Sequence, residues 1–287
     1  MDYVTLASGL PPSSRLGFGC GSVMGRVGRA PSRRAIDAAL DGGITHFDVA
    51  RLYGYGEAEA LLGEALKSKR DGVVIASKFG LQPTRAASTL RALKPLAQKI
   101  AATVPGARAV LRSLVGVAAQ PVDRFSVAAA RASLDQSLAA LKTDYLDILL
   151  LHDCGEDDLS DELLGFLDAQ VTAGKIRSYG IASDIDAVRP LAATHGDRLV
   201  YQLPNGMFAV NAEQLPPTAR RVITHSPFFG ADRLQPRSDA HRALLTHALA
   251  DPRVSVVLCS MLDPAHLRTN LAIAERRPER REVASAA

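Results

Sequence analysis

The sequence has no tryptophan, only three cysteines and no long apolar run, and the last two shortages each remove a class of protein. Cys20, Cys154 and Cys259 lie far apart, with no CxxC pair and no histidine at ligand spacing. That excludes a disulfide framework and a zinc site, and no metal is expected. No stretch approaches the ~18 uninterrupted apolar residues that a membrane span needs, and the first residues lack a basic-then-apolar leader pattern. The expectation is a soluble, cytoplasmic protein with no membrane partner. The net charge is only +4, and no Lys/Arg run is interleaved with aromatics, so nucleic acid is not expected either. A hydrophobic fraction of 47% over 287 residues excludes general disorder and suffices for a sizeable core.

What is present is an alternation of short β-rich runs and helical patterns. After a short hairpin at Tyr3 to Leu6, strands are expected at Ser14 to Cys20, Ile44 to Asp48, Val73 to Lys78 and Tyr145 to Leu151. Four more follow at Ile176 to Ile181, Leu199 to Leu203, Arg221 to Thr224 and Val254 to Cys259. Helical patterns separate them, such as Pro31 to Leu40, stopped by Gly42-Gly43, Ser126 to Leu141, and a short piece at Asn211 to Ala219. A long insert over about 81 to 120 carries Leu90, Leu93, Leu96 and Ile100 at helical spacing. It exceeds an ordinary connection and reads as a lid over the strand ends, or as a solvated basic helix pair.

Eight β-then-α units in this length predict an α/β fold, a closed (β/α)8 TIM barrel with a helical insert after strand three, in one domain spanning the chain. The rival is a doubly wound sheet, for which Gly17-Phe18-Gly19-Cys20-Gly21 would be the phosphate loop. Its GxGxxG spacing is absent, and no helix follows directly.

In the stretch Gly43 to Glu57 an apolar strand ends in Asp48, with Tyr53 and two glycines just beyond. A carboxylate flanked by Phe47 and Val49 is costly unless paired, and Lys78, at the end of the next strand, is its natural partner. His152 ends the strand after that. Taken singly, these are a buried ion pair, a loop aromatic and a polar strand end. Together, on the C-terminal ends of three consecutive barrel strands, they read as catalytic. One charge at ~4 Å and an effective dielectric of ~20 is worth about 4 kcal/mol, so Lys78 is expected to pull the Tyr53 hydroxyl down by up to ~3 pKa units. Asp48 holds the lysine charged, and His152 orients a substrate oxygen. Arg51, beside Tyr53, either faces solvent or contacts an oxygen-rich substrate.

This grouping resembles the aldo-keto reductase family. The likeness runs from Gly43-Ile44-Thr45-His46-Phe47-Asp48-Val49-Ala50 through Tyr53-Gly54 and Leu62-Gly63-Glu64-Ala65-Leu66 to Ser77-Lys78. It continues in Thr143-Asp144-Tyr145-Leu146-Asp147, Leu151-His152, Gly174-Lys175-Ile176-Arg177, Gln202, Ser226-Pro227 and Asn270-Leu271. The resemblance implies Tyr53 as general acid, Asp48 and Lys78 as its tuners, His152 as the orienting group, and a nicotinamide cofactor across the barrel mouth. The implied cofactor contacts are Gly19, Cys20 and Gly21 at the first strand end, then Ser183, Gln202, His225, Ser226, Pro227 and Phe228, and finally Ser260, His266 and Asn270. The Tyr-Gly-x-Gly-x-x-Glu form is most similar to the branch acting on sugars and small aldehydes.

Departures lie in the cofactor belt. Ala182-Ser183 stands where the family often has Ser-Asn, and His225 where an aromatic stacks on the nicotinamide. Near the adenosine phosphate site, basic residues give way to Ser260 and His266, with Arg268 further on. A neutral site gains nothing from the extra phosphate, so NADP(H) is favoured over NAD(H) by resemblance alone. The leading reading is an NAD(P)-dependent oxidoreductase for a small aldehyde, ketone or aldose. The alternative is a cofactor-binding regulatory or interaction protein with little turnover.

Overall fold

The computed structural model describes residues 1–25, 27–83, 123–206, 211–228 and 238–275. Two short strands, β1 (Tyr3–Val4) and β2 (Ser13–Ser14), pair antiparallel. The remaining strands are β3 (Leu16–Gly19), β4 (His46–Asp48), β5 (Val74–Phe79), β6 (Leu146–His152), β7 (Ile176–Ala182), β8 (Val200–Pro204), β9 (Val222–His225) and β10 (Val256–Cys259). They close into a barrel in the order β10-β3-β4-β5-β6-β7-β8-β9, as the alternation predicts. Every adjacent pair in it is parallel.

Strand alternation divides the core in two. Val74, Ala76, Ile148, Leu150, Val200, Ile223, Val256 and Leu258 fill the barrel interior, and Leu6, Ala7 and Leu10, in the connection between β1 and β2, join the same cluster. The intervening residues, such as Phe47, Ile75, Leu149, Leu151 and Tyr201, face outward into a larger cluster with the helices. Each fully buried aliphatic side chain in these layers contributes about 1.5–3 kcal/mol relative to exposure.

The helices are α1 (Arg29–Asp41), α2 (Ala58–Leu66), α3 (Val127–Leu141), α4 (Asp161–Thr172), α5 (Ile185–His195), α6 (Asp239–Ala250) and α7 (Pro264–Glu275). Three start alike because serine oxygens accept otherwise unpaired N–H groups: Ser126 from Ala129, Ser160 from Leu163 and Ser238 from His241. Helix α2 buries Leu61, Leu62 and Leu66 completely or nearly so, which sets its inward face.

Two expectations shift. The first strand breaks into β2 and β3, because Ser13 and Ser14 pair with the hairpin outside the barrel. The piece expected at Asn211 to Ala219 is a single turn, Asn211–Gln214, since Pro216 and Pro217 offer no N–H to continue it. The expected insert over about 81 to 120 lies almost entirely outside the described residues. Among the described residues, no helix is long and apolar enough to cross a membrane, and no His/Cys/Asp/Glu group has metal-binding geometry.

At the strand starts, buried Asp147 accepts from Arg70 at 2.8 Å, from Arg177 at 3.0 Å and from the Ile75 N–H at 2.9 Å. That acid ties β5, β6 and β7 together at the end of the barrel opposite Asp48. The two carboxylates thus serve different ends of one scaffold.

Candidate active site

The C-terminal ends of the strands open into a cavity of about 550 Å³. Asp48, Lys78 and His152 are the last or near-last residues of β4, β5 and β6, and Tyr53 lies on the loop after β4; all four line the cavity. The register explains their common orientation: Asp48 pairs with Ala76 and Lys78 with Leu150, so Lys78 and His152 each lie two residues beyond the partner of the acid or lysine before them and share its inward-facing pleat.

The Lys78 ammonium is 2.6 and 2.7 Å from the two Asp48 oxygens and donates to the Val49 carbonyl at 3.2 Å. Both side chains are nearly inaccessible, at 2% and 5%. Burial opposes the lysine charge, but Asp48 and the Tyr53 oxygen outweigh it and hold Lys78 above its usual range. Lys78 Nζ stands 5.1 Å from the centre of the Tyr53 ring, and the His152 ring meets that ring edge-on at 6.1 Å.

The expected downward shift of Tyr53 is not what results. Burial raises the phenol above its ordinary value; Lys78 pulls it down and Asp48 pushes it up again. Burial outweighs the lysine charge here. Tyr53 is therefore a protonated acid at neutral pH, and Lys78 moderates the cost of its ionisation. Burial, followed by the Lys78 charge, brings His152 down to about 3, so its imidazole is neutral, and its Nδ1 is buried without a partner among the described residues.

Of the expected cofactor contacts, Gly19, Gly21, Ser183, Gln202, His225, Ser226, Pro227, Phe228 and Ser260 line the cavity. Three do not. Cys20 is fully buried in the outer core, where burial pushes its thiol up. His266 lies half-buried in the first turn of α7. Asn270 is 1% exposed, and its Oδ1 is 2.8 Å from His241 Nε2. Phe228 stacks on a face of that histidine, with ring centres 4.4 Å apart.

Sequence reasoning missed Asp153, Asp184 and Pro204 on the cavity wall. Asp184 carried a signal, as the acid immediately before α5, yet its side chain makes no capping bond and faces the cavity instead. Arg51 does neither of the expected things: it pairs with buried Glu59 at 2.5 Å.

A nicotinamide fits the donors present. Gln202 Nε2 donates to Asp48 at 2.8 Å, an orientation dictated by a carboxylate that only accepts. Its Oε1 is left buried with no partner among the described residues, an acceptor suited to a carboxamide N–H. The Ser183 hydroxyl donates to the Cys154 carbonyl at 2.8 Å and keeps its lone pairs for the cavity. Burial lowers His225, leaving a neutral ring that can stack.

The family profile described as the aldo/keto reductase family matches residues 15–221, which span β3 through the turn before β9. The chain belongs to that family. Among curated aldo/keto reductase relatives, the chain is 28% identical over 220 residues to aldo-keto reductase YhdN of Bacillus subtilis, covering 71% of this chain and 54% of that protein. It is 30% identical over 191 residues to 6-dehydroglucose reductase of Novosphingobium aromaticivorans, covering 62% and 50%. The chain thus spans about half the length of the curated relatives it matches. The holo form of an aldo-keto reductase from Bacillus halodurans superposes with a TM-score of 0.70 at 22% identity, over 97% of this chain and 92% of that one, and this likeness supports the fold.

Proposed function

We propose that this aldo/keto reductase is an NAD(P)-dependent oxidoreductase that reduces the carbonyl of a small aldehyde, ketone or aldose, reversibly, with Tyr53 as the general acid. The observation that carries the reading is the buried Asp48–Lys78 pair beneath Tyr53, on the floor of a cavity large enough for a small substrate.

Gln202, Ser183 and His225 would hold the nicotinamide, which supplies the hydride when bound. The protein's own groups manage the proton. Tyr53 gives its hydroxyl proton to the substrate oxygen, and the Lys78 ammonium stabilises the phenolate charge that develops. Because Asp48 fixes the lysine, no reorganisation is needed as that charge appears. Neutral His152 has one N–H to donate and directs the substrate oxygen toward Tyr53. In the reverse direction the same phenolate removes a proton from an alcohol. A sugar substrate is supported by the relative named 6-dehydroglucose reductase and by the polar cavity wall at Asp153 and Asp184.

The test is a titration with NADPH and with NADH, followed by a panel of aldehydes, ketones and aldoses using whichever binds. Binding of at least one cofactor with turnover of at least one carbonyl is the expected result. Tight binding with no turnover at neutral or alkaline pH would instead support the cofactor-binding, non-catalytic role that Ala182 and His225 suggest.

A further inference from the structure

Glu59, in the first turn of α2, is a charged residue that the chemistry above does not use, yet it is only 1% exposed. Its carboxylate accepts from Arg51 Nη1 at 2.5 Å and from the Ser77 hydroxyl at 2.6 Å. Arg51 lies two residues before Tyr53, and Ser77 directly precedes Lys78. A helix that only had to pack against β5 gains nothing from a buried acid, which is costly without partners. This acid joins the loop that carries the proposed proton donor to the strand that carries its cation.

The loop needs such a tether. Its start is fixed where the Val49 N–H donates to Ala76 at 2.8 Å and its carbonyl accepts from Lys78 at 3.2 Å. Beyond Tyr53 the chain takes two left-handed residues, Gly54 at φ 59° and Tyr55 at φ 60°. Glycine is required at the first, where a Cβ would lie 2.7 Å from the Val23 carbonyl oxygen. Tyrosine is held there against its own preference, which persists only when the surroundings over-determine it. Between these points Arg51 is the side-chain anchor, and its Nη2 also donates to Gln136 of α3 at 3.1 Å.

We propose that Glu59 is a positioning residue for the acid: through Arg51 and Ser77 it fixes the 49–56 loop so that the Tyr53 hydroxyl stays against Lys78. The proposal rests on Tyr53 being the proton donor. Loss of the tether lets Tyr53 drift from the cation without altering the cofactor wall on β7, β8 and β9.

The experiment measures kcat, KM, cofactor Kd and the pH profile of kcat for the wild type, Glu59→Gln and Tyr53→Phe, with circular dichroism on each. Displacement of a catalytic group by about 1 Å costs on the order of 10²-fold, so Glu59→Gln should lower kcat roughly 10–100-fold. KM and cofactor Kd should change less than about twofold, and the alkaline limb of the profile should move to higher pH as Lys78 ceases to favour the phenolate. Wild-type kcat in Glu59→Gln overturns the proposal. So does a fall in kcat with an unmoved alkaline limb or a matching loss of cofactor affinity, since that is general disruption. If Glu59→Gln does not fold, Arg51→Lys, which keeps the charge and loses the fork, must give the same fall and shift, and wild-type behaviour in it overturns the proposal equally. Wild-type turnover in Tyr53→Phe removes the proton-donor reading itself, whatever Glu59→Gln does.

Discussion

Gln202 reaches across the barrel from β8 to donate to Asp48 Oδ2 on β4, at 2.8 Å, from the opposite side of the closed eight-strand ring. The carboxylate that charges Lys78 is therefore held from two sides, by an ammonium from the neighbouring strand and an amide from the far one. Floor and cofactor wall share this bond: the same side chain that steadies Asp48 offers its unpartnered Oε1 to the cavity.

Gln202→Leu tests that sharing. It removes one hydrogen bond to a charged group and one acceptor for the carboxamide, each worth about 1–3 kcal/mol. Isothermal titration should show cofactor affinity weakened by about tenfold or more while the substrate KM changes little. Unchanged cofactor affinity would place the carboxamide elsewhere.

Lys78→Met leaves the Asp48 carboxylate buried with Gln202 as its remaining hydrogen-bond partner among the described residues. Breaking one side of a buried pair typically destabilises by about 3–5 kcal/mol. Denaturant melts should report a loss of that order, and turnover should fall to near background. Lys78→Met together with Asp48→Asn should recover part of the stability and none of the activity.

Acid sensitivity follows from two buried histidines. Burial lowers His46 to about 4, and burial with the Lys78 charge lowers His152 to about 3, from an ordinary 6.5. The unfolded chain takes up these protons as pH falls through about 6.5, and the folded chain resists until about 4 and 3. Their contribution is thus fully present above about 6.5 and is lost progressively as pH falls through the folded values. Urea midpoints should drop steadily from neutral pH toward about 4, and His46→Gln should flatten that slope even if it lowers stability throughout. A slope identical to the wild type would contradict the assignment.

Two helical glycines should respond oppositely to alanine. At Gly63 of α2, a Cβ would lie 2.2 Å from the Leu141 carbonyl oxygen, so Gly63→Ala must push α2 off α3. At Gly165 of α4 nothing lies within 4 Å, and Gly165→Ala should stabilise by about 0.5–1 kcal/mol through helix propensity alone. Thermal melts of the two variants decide this.

The barrel and the placement of Asp48, Lys78 and His152 were legible in the sequence because strand period and strand ends are local properties. Tyr53 was legible as a loop residue just past one of those ends. The sign of its pKa shift was not, because it depends on how far burial and Asp48 offset Lys78, which only the packed geometry reveals. Arg51 was expected to face solvent or a substrate, and its pairing with Glu59, eight residues on, arises only when α2 folds back against β5. Asn270 matched the family by position, but its engagement with His241 on α6 is a tertiary fact that no local pattern carries.

The central claim is that Tyr53, poised over the Asp48–Lys78 pair, supplies the proton for hydride transfer. The most direct measurement follows nicotinamide absorbance during carbonyl reduction by the wild type and by Tyr53→Phe, with cofactor Kd measured on the same samples. General acid catalysis of this kind is worth about 10²–10⁴-fold, so kcat should fall by that factor with Kd unchanged. A Tyr53→Phe enzyme that binds cofactor and reduces the carbonyl at the wild-type rate would contradict the account.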